Sequence, residues 1–155
     1  MRFGRHDDDE ANVDTTLVNL LAHVKLFEGV EKKELERIAQ SFKERTFSPG
    51  DVIAAEGSSG IGFFVIESGN AKATHGELVI ADLGPGASFG EVALIDEGPR
   101  SATVTAETEL KCWGLSSWEF RPLAETNATV AWNLARIVAG YVRLATGELD
   151  KELER

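Results

Sequence analysis

Apolar positions in the first part of the chain recur at helical spacing. Val13, Leu17, Leu20, Leu21 and Val24 mark one face within VDTTLVNLLAHVKLF, with Asp14 or Thr15 available as cap and Gly29 as the stop. EKKELERIAQ then sets Leu35, Ile38 and Ala39 against charged residues, which predicts a second, short amphipathic helix. From Phe42 the period falls to two. FKERTF alternates and stops at the turn SPGD, and DVIAAEGSSG supplies a short strand and a Gly/Ser turn. IGFFVIESGNAKAT reads as two strands joined at Ser68-Gly69-Asn70. HGELVIADLGPG, RSATVTAET and ELKCWGL add three more. Strand signals at intervals of roughly 8–12 residues predict a sandwich or barrel of short antiparallel strands.

The helical period returns at Ser116. Ser116 and Glu119 form a capping-box pattern, and Pro122 allows a break or bend. A long helix is expected from about Thr126 to about Thr146, with Val130, Leu134, Ile137, Val138, Tyr141 and Ala145 on one broad face. GELDKELER continues it as charged sequence. Trp113, Trp118, Trp132 and Tyr141 are assigned to the core or to helix packing. The expected class is α+β and mainly β. One domain over 13–146 comprises helices at about 13–40, strands at about 42–115 and helices at about 116–146. An acidic tail of residues 1–12, expected to be disordered, precedes it, and a charged tail of residues 147–155 follows.

Composition narrows the possible chemistry. The 155 residues suit a single core, and 43% apolar content can build it without metals or disulfides. A net charge of −10 argues against nucleic acid and anionic membrane as partners. A small anion needs only one or two local donors. Cys112 is the single cysteine and reads as a small buried hydrophobe; no internal disulfide can form, which fits a reducing, cytoplasmic setting. No apolar run reaches the ~18 residues that span a bilayer. The N-terminus lacks the apolar region of a signal peptide. DDDE on a polar tail does not preorganise a metal shell, and His6, His23 and His75 lack metal-ligand spacing.

Residues 86–90, GASFG, match the G-x-S-x-G of a hydrolase nucleophile elbow. That reading needs a histidine downstream of the serine, and none follows Ser88. Hydrolysis is therefore the disfavoured alternative, no catalytic residue is assigned, and Ser88 reads as a turn residue. An anion cradle fits better. Gly90 lets the backbone approach a ligand, and EVALIDE opens a short helix whose first amides suit phosphate. Arg100, nine residues after Glu91, offers the forked donors that match phosphate oxygens. Ser101 adds a hydroxyl and Ala102 leaves room. Glu91 would repel a phosphate but can accept hydrogen bonds from sugar hydroxyls. The bland alternative is a surface Glu91–Arg100 ion pair, worth at most ~1 kcal/mol.

The run F-G-E-x-A-L-x(4)-P-R-S-A-T-V resembles the phosphate-binding cassette of cyclic-nucleotide-binding domains, with Phe89, Gly90, Glu91, Ala93, Leu94, Pro99, Arg100, Ala102 and Val104 at the expected places. The resemblance extends over about residues 17–146. It implies an antiparallel β-jelly-roll barrel flanked by N-terminal helices and a long C-terminal helix. It further implies a ligand site of Phe89, Gly90, Glu91, Val92, Ala93, Pro99, Arg100, Ser101 and Ala102, with Glu91 on the ribose 2′-OH and Arg100 on the cyclic phosphate. An ungapped carry-over puts Ala145 and Thr146 near the base, and Trp132 or Tyr141 is a candidate to cap it. The implied ligand is cAMP, with cGMP as alternative, and no cofactor or metal is expected. About nine residues after the long helix are too few for a helix-turn-helix, so no DNA partner is expected. The expected role is a non-enzymatic sensor acting through an effector protein, with a homodimer through the C-terminal helix. A piece of a longer protein and a non-binding jelly-roll scaffold are the alternatives.

Overall fold

The computed structural model describes residues 15–55, 57, 62–96, 100 and 102–154. The expected tail at 1–12, the helix positions Val13 and Asp14, and the site residues Pro99 and Ser101 lie outside the described residues. Helix α1 covers residues 15–22. A 3-10 helix, Lys25–Phe27, and α2, Lys32–Ala39, follow. The strands are β1 (Lys43–Phe47), β2 (Val52–Ala54), β3 (Gly62–Ser68), β4 (Ala71–His75), β5 (Leu78–Leu83), β6 (Ser88–Phe89), β7 (Thr103–Ala106) and β8 (Leu110–Ser116). A one-turn helix α3, Ala93–Asp96, separates β6 from β7; α4 (Ser117–Thr126) and α5 (Ala128–Glu154) complete the chain.

Two four-stranded antiparallel sheets form, in the orders β1-β8-β3-β6 and β2-β7-β4-β5. Strands β3 and β8 are buried on both faces, which is why GFFVI and LKCWGL read as apolar runs. Phe63, Val65, Trp113 and Leu115 face the helices, where they join Leu17, Leu21, Phe27, Phe120 and Val130 in one core. Phe27, Phe42 and Phe63 meet edge to face there, with ring centroids 6.1–6.4 Å apart. Ile66, Leu110 and Cys112 face the second sheet instead, against Ala71, Ala73, Val104 and Ala106. The small alanines let the two sheets approach. Burial pushes the Cys112 thiol up to about 11, partly opposed by the charge of Arg45, so it stays protonated and inert.

The structure corrects several expectations. Ser68-Gly69-Asn70 does not close a hairpin, because β3 and β4 belong to different sheets. The turn carries the chain across the sandwich, and Gly69, at φ +92°, passes so close to the backbone at Glu109 that a Cβ would collide with it. Pro122 lies inside α4 without ending it. The capping box of Ser116 and Glu119 fixes where α4 starts, and the break falls at Asn127, whose Oδ1 accepts from the Val130 amide at 3.1 Å to start α5. α5 runs past Thr146 to Glu154, since ELDKELE is made of good helix formers and Gly147 alone does not stop it. Trp118 and Trp132 are not core residues: they are 66% and 68% exposed. Trp132 sits between Val130 and Leu134 in sequence, which turns it to the opposite side of α5 from their buried face. Trp113 is buried as expected, its Nε1 donating to Glu67 at 2.9 Å. Ser88 lies in strand β6 rather than in a turn. Among the described residues, no helix is long and apolar enough to cross a membrane.

Candidate functional site

Pairing of β6 with β3 builds the cradle. Phe64 lies opposite Phe89 and Val65 opposite Ser88, and the two phenylalanine rings stack at 5.4 Å. This brings Gly90 against Gly62. Gly90 has φ +92°, and a Cβ there would lie 2.5 Å from the Gly62 carbonyl oxygen and 2.7 Å from Arg100 Nη1. Only glycine satisfies both the backbone angle and the space. Arg100 is held from two sides. Its Nη2 donates to the Gly62 carbonyl at 2.6 Å, and its own carbonyl accepts from the Gly57 amide at 2.8 Å. Its Nε is buried and has no hydrogen-bond partner among the described residues. Burial pulls the guanidinium below its ordinary pKa, and the negative charge of Glu91 partly opposes this. A half-buried cation with an unused donor, kept in place by a backbone carbonyl, suits an anion that can fill the remaining donor.

Glu91 is half-buried and accepts a hydrogen bond from the Tyr141 hydroxyl on α5. The tyrosine is shifted to a higher pKa, first by burial and then by the hydrogen bond to Glu91 and the carboxylate charge, so it remains a donor. Helix α3 is a single turn, and the amides of Leu94 and Ile95 already donate to the carbonyls of Glu91 and Val92. The expected helix-terminus contribution is therefore limited to the amides ahead of Leu94. Leu94 is buried beside Phe120 and Leu123, which ties the cradle to α4.

Two cavities flank the cradle. One, of about 650 Å³, is lined by Arg100, Gly62, Phe64 and Ala54. The other, of about 670 Å³, lies between Glu91, Ser88 and the α5 residues Ile137, Tyr141 and Leu144. Arg100 thus lines one cavity and Glu91 the other, with Gly90 packed against the guanidinium and Phe89 stacked on Phe64; Val92 is an exposed turn residue, Ala93 opens α3, and Ala102 is half-buried just before β7. Ala145 and Thr146 are exposed on α5 and line neither cavity. Tyr141 is the α5 residue brought to the cradle. Sequence reasoning missed Gly62, whose only signal is a glycine opening a strand. It took Tyr141 as a core or helix-packing residue with a base cap as the alternative, and missed its bond to Glu91; the signal was the one hydroxyl on the apolar stripe of α5. Ser88 sits in a two-residue antiparallel strand, not on a strand-to-helix elbow of a parallel sheet, so the hydrolase reading is set aside.

Residues 44–127 match the profile of the cyclic nucleotide-binding domain. The chain belongs to the cyclic nucleotide-binding domain family. It is similar to the cAMP-dependent protein kinase type II regulatory subunit of Drosophila melanogaster, at 35% identity over 119 residues, 77% of this chain and 30% of that protein. The Cyclic AMP receptor protein of Thermus thermophilus is 34% identical over 130 residues, 81% of this chain and 60% of its own. A solved structure, cAMP bound PfPKA-R (141-441), superposes with a TM-score of 0.75 at 28% identity and covers 88% of this chain and 48% of that one. The chain therefore spans under a third of the kinase regulatory subunits it matches. The antiparallel jelly-roll-like architecture with flanking helices is that of other cyclic nucleotide-binding domains.

Proposed function

We propose that this chain is a cAMP sensor module. Arg100 pairs with the cyclic phosphate and Glu91 accepts the ribose 2′-OH, while backbone amides near Gly90 and Ala93 complete the cradle and Phe89, Val92, Pro99, Ser101 and Ala102 shape its walls. The observation that carries this reading is the half-buried Arg100 with an unfilled Nε, held beside Gly90 and within reach of the Glu91 charge. The cAMP in a similar structure favours cAMP over cGMP as the ligand. No cofactor or metal enters the reading, and no enzymatic step is assigned.

Output follows from a population shift between two arrangements of the cradle and the helices. Closure of the cassette around the phosphate moves Leu94 against Phe120 and Leu123, and α5 is repositioned over the cradle to act on an effector protein. Trp132 and Val142 are large apolar side chains exposed on α5, 68% and 58% accessible, and they suit a homodimer formed through this helix. The acidic net charge favours a protein effector over DNA or membrane, and the single buried thiol fits the cytoplasm.

One experiment covers ligand and assembly together: thermal unfolding and sizing chromatography with cAMP, cGMP and 5′-AMP. Stabilisation by cAMP, weaker for cGMP and absent for 5′-AMP, with elution as a dimer, is the expected result. Equal response to 5′-AMP contradicts the cyclic-phosphate assignment, and elution as a monomer in every condition removes the dimer.

A further inference from the structure

We infer that Tyr141 is the residue through which α5 senses the sugar, by holding one oxygen of the Glu91 carboxylate and leaving the other set for a ribose hydroxyl. The inference rests on the assignment of Glu91 to the ribose made above. The contact joins residues 50 apart in sequence. Among the described residues it is the only side-chain hydrogen bond between α5 and the stretch from Gly86 to Asp96. Among the described residues no other hydrogen bond is made to the carboxylate. Arg100 is close enough for its charge to be felt, yet its hydrogen bond goes to the Gly62 carbonyl. No lysine or arginine among the described residues lies within ion-pair distance of Glu91.

A carboxylate has two oxygens and about four acceptor positions, so a phenol and a ribose hydroxyl can occupy it together. The phenol stays protonated through the physiological range, because burial and the carboxylate both raise its pKa. Tyr141 is 46% exposed. Ile137 and Leu144, about one turn to either side, line the same cavity, while a Cβ on the adjacent Gly140 would meet nothing within 4 Å. The docking of α5 on the cradle near Glu91 thus depends on one hydroxyl and a thin apolar contact. Trp132, the other candidate for reaching the ligand, projects to solvent. Because Tyr141 holds the carboxylate in the orientation that the ribose uses, α5 docking and sugar occupancy are linked, and each favours the other.

The Tyr141→Phe variant keeps the ring and removes the hydroxyl. Calorimetric titration with cAMP is expected to show affinity lowered about three- to tenfold. Affinity for 2′-deoxy-cAMP should change by less than about twofold, since that ligand does not use the carboxylate. In the nucleotide-free variant, amides of residues 137–145 should exchange with solvent faster than in the wild type. Equal losses for both nucleotides, an unchanged cAMP affinity, or a gain in affinity each overturn the inference; a gain would make Tyr141 a competitor of the sugar. Unchanged exchange overturns the docking role. Wild-type protein that binds no cyclic nucleotide overturns the functional reading and the sugar-sensing role with it, while faster exchange in the variant would still establish the docking contact.

Discussion

Replacing Arg100 with alanine is expected to weaken cAMP binding by about 10- to 100-fold, the loss of a charge-assisted contact of roughly 1.5–3 kcal/mol. The magnitude follows from how the side chain is held. Ordering a long, flexible side chain costs about 0.5–1.5 kcal/mol on binding, and here the Gly62 carbonyl has already ordered it at 2.6 Å. The guanidinium is also partly stripped of water, with its pKa lowered chiefly by burial, and its Nε has no partner among the described residues. An arriving phosphate therefore meets a guanidinium that has already lost part of its hydration. The variant removes a desolvated charge but also the donor to the Gly62 carbonyl, so the nucleotide-free protein should stay folded and unfold somewhat below the wild-type temperature. Calorimetry on the folded variant isolates the contact, and an affinity equal to wild type would remove Arg100 from the site.

Gly90→Ala should have an effect of similar size through geometry alone. The residue is at φ +92°, where an alanine carries strain of about 1–3 kcal/mol. Its Cβ would also press on the Gly62 carbonyl and on Arg100 Nη1, the two groups that set the cradle. Relief requires β6 to move from β3 or the guanidinium to leave its place. The expected outcome is a lower unfolding temperature together with cAMP affinity reduced more than about tenfold. Gly50→Ala is the control: its φ is +91°, yet a Cβ there meets nothing within 4 Å, and it lines neither cavity. That variant should lose stability from strain and keep its affinity. A Gly90→Ala protein that binds as tightly as wild type would show that close packing at this turn is not part of recognition.

What the sequence revealed depended on how local the determining physics was. The capping box at Ser116 and Glu119 involves residues three apart, and the structure forms it in full. The doubly buried strands β3 and β8 were visible as apolar runs because both faces are covered by protein. The cradle was legible because glycine, carboxylate and arginine lie within one continuous stretch. Long-range placement was not legible. Nothing local distinguishes a turn that closes a hairpin from one that crosses between sheets, and Ser68-Gly69-Asn70 does the latter. Burial of tryptophan was inferred from residue type, but Trp118 and Trp132 sit on the outer sides of their helices. The bond between Tyr141 and Glu91 depends on where α5 lands, a tertiary fact that no local pattern carries; the carry-over by sequence offset named Ala145 and Thr146, which line neither cavity.

The division of labour between Glu91 and Arg100 is the central claim, and one titration series tests it most directly: cAMP and 2′-deoxy-cAMP into wild type and Glu91→Ala. The account predicts that Glu91→Ala lowers cAMP affinity about tenfold and leaves the 2′-deoxy ligand nearly unchanged. Equal losses for the two ligands, or no binding of either by the wild-type protein, would contradict it.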